Sequence, residues 1–235
     1  MNGVPGAFVV YLVPLIGLGL LGLGWWLQHQ RRQQLQQWAQ RNGWTYADRD
    51  DSYVRVQRGQ PFEQGHARRA TEVMTGRFEG MPAISFDYQW DTGSGKEETT
   101  HHAHVVALAL PAYLPTLEVT PEGFGARFAK MLGAQDMQFE SEDFNRAYRV
   151  AAGDQRTAHA VLHPRLMERL LRPDAVRTPW RIEGTWIVSW TSGGTDLSTL
   201  AARLGLLTAV VRSVPRHVWL DHGYDPSSPE NLRKA

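Results

Sequence analysis

The sequence predicts an α+β protein: an N-terminal transmembrane helix followed by a mostly antiparallel β-sheet domain with packed helices. Three observations carry this. The first thirty residues contain no Asp, Glu, Lys or Arg. Residues 69–110 hold three runs of β-forming residues separated by short polar turns. Helical spacing of apolar residues recurs in isolated segments further on, without the strand–helix alternation of a parallel sheet.

The apolar stretch Val4–Leu27 spans about 36 Å at helical rise, against a hydrocarbon core of roughly 30 Å. A bilayer leaves a lone segment only the helix as a way to satisfy its backbone. Trp25 and Trp26 fall where an aromatic belt meets the headgroups, and Arg31, Arg32 and Arg41 follow with no acidic residue before Asp48. A cleavable signal peptide needs a cationic start and a shorter apolar run. The arginine bias puts the N-terminus outside, the C-terminal domain in the cytoplasm and the protein in the cell membrane. Gly17, Gly19 and Gly22 match G-x-G-x-x-G by chance, because no strand precedes them and phosphate has no access to a spanning helix.

The anchor occupies residues 1–30 and a juxtamembrane helix residues 31–42, with Leu35, Trp38 and Ala39 as its apolar stripe and Gly43 as its stop. An α+β domain follows over 43–220, and a polar tail over 221–235 reads as disordered. Within the domain, Tyr53–Gln57 is a predicted strand. Arg69–Phe78, Met81–Trp90 and Thr100–Leu110 form an antiparallel meander. Ile84, Phe86, Tyr88 and Trp90 share one face, with Ser85 and Asp87 on the other. The third strand is apolar on both faces, which places it centrally, and Pro111 and Pro115 end it. A helix is expected from Thr120, with Phe124, Phe128, Met131 and Leu132 on one side. Met137–Glu140 and Arg146–Ala151 read as short strands, then Gln155–Leu162 and Pro164–Leu171 as helices. Arg181–Thr191 is a strand with Trp186, Val188 and Trp190 on one face. Asp196–Val214 is an amphipathic helix; Arg203 and Arg212 argue against a second span.

Beyond the three juxtamembrane arginines, 22 basic residues face 24 acidic ones. A near-neutral domain without a basic stripe excludes a nucleic-acid platform. The absence of cysteine excludes disulfides, thiolate metal sites and cysteine nucleophiles. The lipid bilayer is the expected partner, with a membrane or cytoplasmic protein beside it, and no cofactor is implied.

Among polar clusters, His101-His102-x-His104 has the strongest metal-like pattern. On a strand His102 and His104 share a face and both reach a zinc or copper ion, with Asp87 or Asp91 across the hairpin. The commoner meaning of such a cluster is a polar strand end beside a loop. Gly93-Ser94-Gly95 is hairpin loop chemistry rather than a nucleophile elbow. Glu140 and Glu142 read as solvated carboxylates.

Three patches resemble a group of bacterial membrane-anchored proteins built on a domain of unknown function. They are Gly43-Trp44-x-Tyr46 with Pro61-Phe62-x-x-Gly65; Glu140-Ser141-Glu142-x-Phe144-Asn145-x-x-Tyr148-x-Val150 leading to Asp154; and His163-Pro164-Arg165-Leu166-Met167-Glu168. The resemblance implies one N-terminal transmembrane helix and a single α+β domain, and brings no catalytic residue. In the second patch, Phe144, Tyr148 and Val150 anchor a corner to the core, and Asn145 and Asp154 turn or cap the backbone. The expected function is a noncatalytic binding or scaffold module at the cytoplasmic membrane face. The alternative is a membrane-tethered metal-dependent hydrolase using the histidine cluster.

Overall fold

The computed structural model describes residues 6–122 and 137–228, with side chains in the first helix given for Ile16 and from residue 22 onward. The chain divides into two compact units, Met1–Tyr46 and Ala47–Ala235. The first is dominated by one continuous helix, α1 (Gly6–Arg41), so the predicted anchor and juxtamembrane helix are a single element. Gly43 at φ +69° ends it, a backbone conformation that glycine adopts without strain. Among the described residues no helix is long and apolar enough to cross a membrane. The predicted span itself falls mostly on residues 1–21, whose side chains, Ile16 aside, lie outside the described residues.

The second unit is built on a six-stranded sheet. Its strands are β1 (Thr45–Arg49), crossing the boundary between units, β2 (His66–Phe78), β3 (Met81–Thr92), β4 (Thr99–Pro121), β5 (Tyr148–Ala152) and β6 (Trp180–Ser192). The order runs β1-β2-β3-β4-β5, with β6 also paired to β4. β3, β5 and β6 all pair with β4 antiparallel. β4 is therefore central, as its two-sided apolar run predicts. It does not stop at Pro111: the register shifts between Ala109 and Leu114 and again before Leu117, and the prolines sit in that irregular stretch. A bulge is where a strand tolerates residues that cannot donate to the ladder.

One face of the sheet carries an aromatic core. Phe62, Ala70, Val73, Ile84, Phe86, Tyr88, Val105, Ala107, Val188 and Trp190 are buried together, with Trp186 against them. The predicted sharing of a face by Ile84, Phe86 and Tyr88, and by Val188 and Trp190, is thus present. The opposite face is covered by the helix Leu197–Ser213, which packs on β4 and β6. Asp196 caps it by accepting from the Ser198 amide at 2.9 Å. Its buried Leu200, Leu204, Leu207 and Val211 repeat at helical spacing.

The strand expected at Arg146–Ala151 is β5, while those expected at Tyr53–Gln57 and Met137–Glu140 do not form, residues 137–140 having no regular structure. Residues 51–55 form a 3₁₀ turn, because the Asp50 carboxylate accepts from the Ser52 amide and holds the chain tight. Residues 142–147 form a short helix capped by Ser141, and β5 begins only at Tyr148. Thr120 and Pro121 belong to β4, and most of the helix expected after them lies outside the described residues. The helices Gln155–Val161 and Pro164–Leu170 stand where predicted. Phe144 and Tyr148 are buried, the Tyr148 hydroxyl donating toward Leu170 O and Ala175 O. Asn145 bridges both backbone groups of Phe139, and Asp154 caps Arg156 and Thr157. A helix at Arg216–Asp221 ends the domain, a turn anchored by Tyr224 packed edge-on against Trp219 occupies the start of the tail, and residues 229–235 lie outside the described residues.

Candidate functional site

Antiparallel pairing of β3 with β4 sets Asp87 opposite His104 and Gln89 opposite His102. The strand period of two then gathers Ser85, Asp87, His102 and His104 on one face, the face covered by Leu197–Ser213. The sequence left open whether Asp87 or Phe86 faces His104; the register answers Asp87. The two histidines nonetheless serve different neighbours.

His104 is completely buried. Its Nδ1 accepts from the Asp196 amide at 3.2 Å and lies 3.0 Å from Arg203 Nη1. Both partners are donors, so Nδ1 carries no proton. The ring proton then sits on Nε2, 2.9 Å from the Ser85 hydroxyl oxygen, which accepts it. An imidazole in this tautomer cannot take the serine proton, and a guanidinium stands where a nucleophilic triad has its carboxylate. The same occupancy leaves His104 without a lone pair for a metal.

Arg203 is nine-tenths buried and reaches across from its helix to clamp two strands. Its Nη2 donates to His104 O at 2.9 Å and Ser189 O at 2.6 Å, and its Nε approaches Ser189 Oγ at 3.4 Å. Burial lowers its pKa to about 9, which leaves it charged at neutral pH. The sequence registered Arg203 only as a break in an apolar run. Its signal was a charged residue on the buried stripe of a helix, which requires a polar counterpart on the strand beneath.

His102 is half-exposed and places Nδ1 2.8 Å from Asp87 Oδ2. Gln89 Nε2 donates to the same oxygen at 2.8 Å, while Asp87 Oδ1 is buried without a partner. Burial raises the Asp87 pKa, against the lowering by its bonds to Gln89 and His102. A carboxylate behind an imidazole is an arrangement that metal ligands use. Among the described residues, however, His102 and His104 join no group of three metal-capable donors; the group that exists is His66, Asp91 and Glu98. Ser94 lies in the hairpin loop, and Glu140 and Glu142 are both exposed.

Of the predicted membrane-interface residues, Trp25 and Trp26 are 69% and 49% exposed, and Trp25 stacks on His29 at 5.5 Å. Arg31 and Arg32 are exposed on the same helix.

A groove of about 620 Å³ opens on the domain where the start of β3, the middle of β4 and the last two helices meet. Its walls are Met81, Pro82, Leu110, Pro111, Val211 and Trp219, and Arg212 and Glu79 form an ion pair of 2.8 Å on its edge. The sequence did not foretell it, since it joins segments more than a hundred residues apart.

Arg203→Met removes the donors to two backbone carbonyls and to His104. Urea unfolding is expected to show a loss of about 3 kcal/mol, and Arg203→Lys to recover only part of it, because an ammonium lacks the planar fork. Asp87→Asn tests the buried carboxyl. A folded-state pKa raised above the ordinary 3.8 stabilises the fold at low pH, and that stabilisation is lost as pH rises through the folded value. The stability of Asp87→Asn relative to the parent should therefore climb as pH rises from the ordinary 3.8 through the folded-state value and level off above; a constant difference would show that Asp87 titrates normally.

No family model and no curated protein matches this chain. Among solved structures, it is similar to the mycobacterial trehalose monomycolate transport factor A, TtfA, with 13% identity and a TM-score of 0.56, over 78% of this chain and 96% of that one. At that identity the likeness establishes a shared fold.

Proposed function

We propose that this protein is a noncatalytic binding module, tethered to a membrane by its N-terminal helix with the sheet domain on the cytoplasmic side, and that its groove holds an acyl-bearing amphiphile. The groove carries this reading. Its volume lies in the range of small-ligand sites, its walls are mostly apolar, and a cation and an anion wait at its edge for a polar headgroup. The charge-free opening segment and the exposed Trp25–Trp26 pair support the tether. TtfA, which shares the fold, is named for transport of trehalose monomycolate, and that is in keeping with an amphiphile here. The bonding of His104 to Ser85, Asp196 and Arg203 weighs against the alternative hydrolase.

Topology is tested by cysteine labelling, since the chain has none of its own. An impermeant thiol reagent applied to intact cells should label Asn2→Cys and spare Ser227→Cys; the opposite pattern would reverse the orientation. The groove is tested with a fluorescent long-chain phospholipid and full-length protein in detergent. Binding should saturate, and Ala109→Trp, which fills the groove, should weaken it at least tenfold with an unchanged melting temperature. Equal binding by both proteins would remove the groove from the function.

A further inference from the structure

We infer that the outer corner of the β2–β3–β4 meander is a divalent transition-metal site made by His66, Asp91 and Glu98, with the Gly93 carbonyl as a fourth donor. One ligand atom from each of the three side chains lies within 4.8 Å of the others. His66 Nε2 stands 4.0 Å from Glu98 Oε1 and 3.0 Å from Gly93 O. Donors around a zinc ion at bond lengths near 2.0–2.2 Å are separated by about 3.3 Å. The arrangement thus needs a contraction of about an ångström, and the two side chains that must move, His66 and Glu98, are the exposed ones.

The fixed member is Asp91, which is buried and pairs directly with His66 across β2 and β3. Its Oδ1 receives the Thr100 hydroxyl at 2.7 Å and its Oδ2 receives Arg69 Nη1 at 3.1 Å. Each carboxylate oxygen keeps a second lone pair, so these bonds orient the group as outer partners orient a metal ligand. Arg69 opposes a cation, but the carboxylates of Asp91 and Glu98 together outweigh its single guanidinium. Glycine allows the approach: a Cβ on Gly65 would lie 2.1 Å from Asp91 O, and one on Gly93 2.4 Å from Glu97 O.

One imidazole with oxygen donors and no thiolate suits zinc and its divalent neighbours and excludes copper(I) and iron–sulfur clusters. The ion would clip the start of β2 to the β3–β4 loop, at the end of β3 remote from Met81 and Pro82 of the groove. It is independent of the amphiphile reading.

The test is titration of full-length, tag-free protein in detergent with zinc chloride after chelator dialysis, followed by calorimetry and thermal unfolding. One equivalent should bind saturably in the micromolar range and raise the melting temperature. His66→Ala and Glu98→Gln, both at exposed positions, should each weaken binding tenfold or more, and His102→Ala should leave it unchanged. Absence of saturable binding, retention in His66→Ala, or loss in His102→Ala would each overturn the assignment.

Discussion

β4 is buried on both faces and hydrogen-bonded on both edges, and the other elements of the sheet domain are arranged around it. Val105 and Ala107 enter the aromatic core on one side, while His104, Val106 and Leu108 face the covering helix on the other; all five are completely buried. A strand in that position has no tolerance for a register slip, since a shift of one residue would exchange the two sets. Its N-terminal half is held by β3, its C-terminal end by β5, and most of its length by β6. The irregular stretch around Pro111 and Pro115 lets one long strand serve all three, bending where it cannot donate.

Two-sided burial has a polar consequence. His104 is the residue at which the covering helix, β3 and β6 all meet, through Arg203, Ser85 and Ser189. A buried guanidinium among carbonyls and hydroxyls is a costly arrangement unless nearly every donor is used. Here it links three segments at distances of 2.6–3.4 Å. The network favours one seating of the helix over slid alternatives, because sliding would strand a charge in the core. Glu118 and Arg181, paired at 2.7 Å and both buried, tie β4 to β6 nearer the other end of β4. Burial raises the Glu118 pKa even against the attraction of Arg181.

Periodicity made most of this legible in the sequence. Alternation over residues 84–90 and 186–190 named the aromatic face, and the leucine seam from 197 to 213 named the covering helix. Asn145 and Asp154 could be read as corner or cap residues because their hydrogen-bond partners are local. The failures are equally physical. Tyr53, Val54 and Val56 have β-forming side chains, but the Asp50 carboxylate bends the backbone before any strand can pair. Pro111 signals a strand end only if pairing must be regular. Arg203 and His66 acquire meaning through partners far along the chain, His104 and Glu98, and nothing local announces either.

That division bears on function. The histidine cluster looked like chemistry because two imidazoles two residues apart share a strand face. Facing the same way brings them to one centre only if the space beyond is empty, and here the helix Leu197–Ser213 fills it. The donors of Arg203 and the Asp196 amide take the His104 lone pair before any metal can. His104 is thus spent on holding the fold, while the groove is assembled from Pro82, Leu110 and Trp219, which form no motif at all. A fold shared with TtfA at 13% identity fits this: burial and pairing set the frame, and what a surface binds is set by the few side chains left facing outward.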